Sequence, residues 1–126
     1  MKKSIPILII VILAFSIPAH AKRLHPEKWY QSQWCQAQNG QTEVVLSDKT
    51  RCDCLTETHA VEFDFGNKWA EAIGQSLYYS LQTGKKAGIV LIIERLRDRK
   101  YWIRLNTTID YFGLPIDAWI IEGYAK

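Results

Sequence analysis

The chain has 126 residues, 16 of them basic and 13 acidic, for a formal charge of +3, and 48% of its residues are hydrophobic. That length suits one domain with one core. A charge so near neutrality excludes bulk electrostatic attraction as an argument for nucleic acid, which must rest on local clusters instead.

Met1-Lys2-Lys3 supplies a positive start, and an apolar stretch from Ile5 to Ile17 follows, interrupted only by Pro6 and Ser16. It is shorter than the ~20 apolar residues of a membrane-spanning helix, and Pro18-Ala19-His20-Ala21 carries a small-x-small cleavage pattern. Residues 1–21 therefore read as a secretory signal peptide cleaved after Ala21, with an uncleaved anchor flanked by Lys22-Arg23 as the alternative. Residues 22–126 form a single domain, periplasmic or secreted, with no stable membrane association once the leader is gone. Loss of Lys2 and Lys3 leaves 14 basic residues against 13 acidic ones.

His25-Pro26-Glu27 is expected to start a helix that reaches about Gln38 and stops at Asn39-Gly40. Three β-rich runs follow, Thr42 to Leu46, Arg51 to Leu55 and Ala60 to Phe65, joined by short polar turns as in an antiparallel meander. Alternation puts Cys52 and Cys54 on one strand face, roughly 7 Å apart and too far for easy bridging. Cys35 therefore pairs with one or the other, Cys35 with Cys54 being the candidate disulfide, and one thiol stays free. Without Cys-x-x-Cys spacing, zinc is a poor reading.

Gly66-Asn67 opens a long helix from Lys68 to about Gln82, with Asn67 as N-cap and Thr83-Gly84 as its stop. Gly88 to Glu94 is a continuous aliphatic run, suited to a strand buried on both faces at the sheet's centre. Arg95 to Lys100 lead into a helix ending near Gly113, and Pro115 to Glu122 makes a last strand. The expected order is αβββαβαβ, with no internal repeat.

Alternation places Arg51 and Asp53 on one face of the second strand, and Glu62 and Asp64 on one face of the third, opposite Val61, Phe63 and Phe65. If these strands pair, Asp53 approaches the other two acids closely enough for repulsion. Such a group needs a cation, a proton or a basic partner, and Mg²⁺ with its preference for carboxylate oxygens fits. The competing reading is a solvated sheet face balanced by Arg51. On the following helix, Lys68, Glu71, Gln75 and Tyr79 form a polar ridge, beside a stripe of Trp69, Ile73, Leu77 and Leu81 expected to pack on the sheet.

The ordered set Asp53, Glu62-Phe63-Asp64, Lys68 and Gln75-Ser76-Leu77-Tyr78-Tyr79 resembles the PD-(D/E)XK nuclease superfamily, with a Gln-x-x-x-Tyr element like that of its RecB-type branch. The resemblance spans roughly Glu27 to Glu94. It departs from the usual pattern at Asp64, where lysine is expected, and Lys68 at the helix start would stand in for it. The resemblance implies a restriction-endonuclease-like αβββαβ core with a C-terminal αβ extension, its mixed central sheet flanked by helices. It also implies an exported Mg²⁺- or Mn²⁺-dependent deoxyribonuclease, with metal held by Asp53 and Glu62, and with Asp64 as either a further ligand or a partner of Lys68. Lys68 would orient or help deprotonate the attacking water and stabilise charge on the phosphate, Gln75 and Tyr79 would position substrate or the site's side chains, and Glu27 or Glu43 is the candidate further acid to complete the site.

Arg51, Lys85, Lys86, Arg95 and Arg97 are candidate contacts to DNA phosphates, and a homodimer would help so small a domain hold duplex DNA. His25 and His59 read as surface residues in turns. Trp29, Trp34 and Trp102 read as packing residues, with base stacking as the other option. Two further classes compete: a catalytically silent nucleic-acid-binding domain, and a periplasmic envelope interaction protein whose acidic cluster is structural.

Overall fold

Pro26, at φ −65° and lacking an N–H to satisfy, stands at the N-cap of α1 (Glu27–Ala37). The computed structural model describes residues 22–124, so the expected leader, residues 1–21, lies outside them. A turn through Asn39, with φ 53°, and Gly40 leads into β1 (Gln41–Val45), β2 (Arg51–Leu55) and β3 (His59–Phe65). A 3-10 turn, Gly66–Lys68, precedes α2 (Trp69–Thr83), which ends where Gly84 takes φ 68°, a conformation that costs glycine nothing. Then come β4 (Lys86–Ile93), a 3-10 turn at Leu96–Asp98, α3 (Arg99–Phe112) and β5 (Ile116–Glu122).

The chain is an α/β domain with a five-stranded mixed sheet in the order β1-β2-β3-β4-β5. The first three strands form an antiparallel meander, while β3, β4 and β5 run parallel and are linked through α2 and α3. β3 is thus the middle strand, and β4 lies one place further out than its aliphatic run suggests. It is buried nonetheless, because α1 covers one face of the sheet and α2 with α3 the other. Tyr30, Val61, Phe63, Val90 and Ile92 pack on the α1 side, and Ala72, Ile89, Leu91, Ile93 and Leu105 on the opposite side. Each fully buried Val, Leu, Ile or Phe contributes about 1.5–3 kcal/mol.

Two local expectations change. Leu81 is 80% exposed, and α2 turns Ala72, Ser76 and Tyr79 inward instead. A four-residue step overshoots one turn by about 40°, so a stripe begun at Trp69 has rotated about 120° by Leu81. Asn67 does not cap α2; Lys68 holds the N-cap position without a side-chain bond, and Asn67 Oδ1 accepts from Arg23 Nη2 at 3.0 Å.

Of the two disulfides that spacing leaves open, the structure holds Cys35–Cys54, joining α1 to β2, with Cys52 a buried free thiol. Gly40 lies against this bond: a Cβ there would meet the two sulfurs at 2.7 and 2.8 Å.

Candidate acidic site and its flanking cleft

The site is built where two strands part. β2 and β3 pair through Cys54 with Val61 and Leu55 with Ala60, and the register goes no further. In place of a strand carbonyl, the Asp53 carboxylate accepts the Phe63 N–H, Oδ2 to N at 2.8 Å. The break also separates the two β2 cysteines. Cys54 faces α1, whereas Cys52 packs with Tyr79 of α2 and directs its thiol at the carbonyls of Cys54 and Val61. Strict alternation, which puts both on one face, fails here for that reason.

Glu43 sits across from Asp53, between the Thr42–Cys54 and Val44–Cys52 pairs, and adopts φ 54° in the middle of β1. A left-handed conformation is rare for such a residue and costs of order 1–3 kcal/mol unless its surroundings hold it. Buried Gln31 of α1 supplies part of that hold, donating its amide to Asp53 O at 2.6 Å and to Glu43 Oε1 at 3.3 Å. Arg51 lies 3.5 Å from the other Glu43 oxygen.

The acids of β3 enter the same space. Glu62 and Asp64 are each only 5% exposed, and Glu62 Oε2 and Asp64 Oδ2 are buried without a hydrogen-bond partner. Burial pushes the Glu62 carboxyl up to about 10, reinforced by the charges of Asp53 and Asp64. Burial likewise raises Asp53, with Glu43 adding to the effect. Asp64 is raised to about 7 by burial and then by Glu27, with Lys68 pulling the other way. Glu27, in the first turn of α1, is raised to about 7 by burial and by Asp53, again opposed by Lys68. Four carboxyl groups from α1, β2 and β3 thus feel one another, with Lys68 as a nearby cation.

The α2 ridge joins them. Burial raises the Tyr79 hydroxyl to about 12, Glu62 and Asp53 add to the effect, and the neighbouring Gln75 opposes it. Asp53, Glu62, Asp64, Lys68, Gln75 and Tyr79 therefore share one neighbourhood. Among the described residues, no three His, Cys, Asp or Glu side chains are grouped so as to hold a metal ion. The donor chemistry does suit a hard cation, being carboxylate oxygen throughout with two oxygens buried and unpartnered.

The basic residues divide. Arg95 and Arg97, just past the C-terminal end of β4, line a cleft of about 430 Å³ with Lys22, Arg23, Asn67, Tyr101 and the acid Asp98. This is the end of the sheet where β3 delivers Asp64 and Lys68. Lys86 lies at the other end of β4, opposite His59, and the Lys85 ammonium donates to the carbonyls of Thr56 and Glu57, closing the β2–β3 turn. Arg51 faces Glu43.

Sequence reasoning missed Gln31 and the segment Lys22 to His25. Buried Glu94 ties that segment down, its Oε1 accepting from Leu24 N, His25 N and the Tyr30 hydroxyl within 3.2 Å. Arg23 stacks over the Phe65 ring at 3.7 Å, and Arg95 Nη2 donates to Lys22 O at 2.8 Å. Gln31 had one available signal, its position one helical turn after Glu27. The strap had none, since its partners lie some 70 residues away.

No protein-family model, curated protein or solved structure matches this chain.

Proposed function

We propose that this chain is an exported PD-(D/E)XK-like nuclease that hydrolyses phosphodiester bonds in DNA with the help of Mg²⁺ or Mn²⁺. The observation that carries the reading is the gathering of Glu27, Asp53, Glu62 and Asp64 beside Lys68, with carboxylate oxygens buried and unpartnered. Burial and mutual repulsion push Glu27, Glu62 and Asp64 well above the ordinary carboxyl range, and carboxyl groups perturbed in this way cluster at functional sites. The sheet order and the parallel β3–β4–β5 half are compatible with a restriction-endonuclease-like core.

Asp53 and Glu62 are the residues that would hold the cation, with waters and substrate oxygens completing its shell. When bound, such an ion supplies Lewis acidity and acidifies a coordinated water. The chain's own groups do the rest. Glu62 would release its proton to water on taking up the cation, and Lys68, which already favours the ionised forms of Glu27 and Asp64, presents an ammonium to the phosphate. Gln31 fixes the Asp53 backbone, and buried Tyr79 stands on the α2 side of the site.

The test is cleavage of plasmid and single-stranded DNA by the purified protein with Mg²⁺ or Mn²⁺, beside Glu62→Gln, Lys68→Ala and an EDTA control. Cleavage that EDTA and both substitutions abolish supports the reading. Folded wild-type protein that cuts neither substrate with either metal overturns it; salt-dependent DNA binding would then identify a silent binding domain, and no binding an interaction protein with a structural acidic cluster.

A further inference from the structure

A second cleft, of about 420 Å³, opens on the other side of the Lys22-to-His25 strap, between α1 and the end of β5. His25, Trp29, Tyr30 and Trp34 wall it, with the Gln33 amide and the Gly123 backbone at its margin. Trp29 is 41% exposed, a large aromatic surface left in water next to a concave space. The His25 imidazole lies parallel to the Trp29 indole, 3.9 Å between centroids and 16° between planes, so this cleft already holds one flat heteroaromatic ring in a stack. Tyr30 buttresses Trp29 edge-on at 4.9 Å, and its hydroxyl is anchored on Glu94.

The chemistry selects among flat ligands. The one acid at the cleft, Glu122, is engaged 3.5 Å from Arg99, and its second oxygen is buried, so no free carboxylate is offered to an organic cation. A neutral aromatic ring with hydrogen-bonding edges fits better, with Gln33 available to pair with it. The strap sets the relation to the arginine-lined cleft: Arg23 lines one and His25 the other, so the two clefts adjoin across it. Adjoining sites for a phosphate and a ring suit a nucleotide.

We infer that the aromatic cleft beside Trp29 is a nucleobase-stacking site, adjoining a phosphate site at Lys22, Arg23, Arg95 and Arg97, and that the substrate is a single strand whose bases are free to leave a stack. This rests on the nuclease reading for its relevance to cleavage, but concerns binding. In a duplex the base faces are occupied by their neighbours, and the cleft would have nothing to hold.

The test is a binding titration in EDTA, read by tryptophan fluorescence and by anisotropy of the labelled strand. It compares a short oligothymidylate, an abasic strand of equal length and a duplex of equal length. The expected result is that the oligothymidylate binds tightest and that exposed Trp29, replaced in Trp29→Ala, costs roughly 5- to 100-fold in affinity, with Trp29→Phe retaining most of it. Equal affinity for the abasic strand, or tighter binding of duplex, overturns the inference. DNA cleavage by wild-type protein that is unchanged in KM by Trp29→Ala overturns it while leaving the nuclease reading intact. Base-dependent binding by a wild-type protein that never cleaves does the reverse.

Discussion

Replacing Glu62 with glutamine should stabilise the protein, and by an amount that grows with pH. The native carboxyl holds its proton up to about pH 10, whereas the unfolded chain releases it near 4.5. Between those limits the native state binds more protons than the unfolded state, so the free energy of unfolding falls as pH rises. This contribution is fully present below pH 4.5 and is lost progressively as pH climbs toward 10. At pH 7 the cost of keeping the proton is about 3 kcal/mol, an upper bound because Asp53 shares the interaction. Glutamine retains the shape and pays no such cost, so Glu62→Gln should raise Tm at pH 7 by on the order of 10 °C.

The assay is thermal unfolding of both proteins in EDTA at a series of pH values from 5 to 8. Wild-type Tm should fall across the series, Asp64 adding its own loss up to about pH 7, while the variant's profile is flatter. Adding Mg²⁺ at pH 8 should raise Tm for the wild type more than for the variant, since a ligand of the native state stabilises by mass action. A wild-type Tm independent of pH, or a variant less stable than wild type at every pH, would refute the reasoning.

Lys68→Met removes the cation that holds down Glu27 and Asp64, so both should titrate above about 7 when followed by carboxyl-carbon NMR. Loss of this group should also lower any cleavage rate about 100-fold or more, as removal of a catalytic proton-transfer group does; unchanged titrations would place Lys68 away from the acids. Reduction of Cys35–Cys54, which closes a separation of 19 residues, should cost about 3 kcal/mol in urea unfolding. Gly40→Ala should destabilise the oxidised protein, because the added Cβ meets both sulfurs, and an unchanged urea midpoint would contradict that packing.

Much of the domain is written in local pattern. Pro26, the turn at Asn39-Gly40, the alternation of the three early strands and the run Ile89 to Ile93 determine their elements through short-range sterics and hydrophobic period, which neighbouring residues alone can express. Spacing also singled out Asp53, Glu62, Asp64, Lys68, Gln75 and Tyr79, because strand and helix periods put each on a definable face. Only the tertiary structure decided what those faces meet. The parting of β2 and β3 at Asp53, the left-handed Glu43 opposite it, the arrival of Glu27 and Gln31 from α1, and the division of the arginines and lysines between two ends of the sheet all depend on contacts between distant segments. The capture of Lys22 to His25 by Glu94 belongs with them. These are long-range balances of burial and charge, which no local period encodes, and they turn a list of acids into a site.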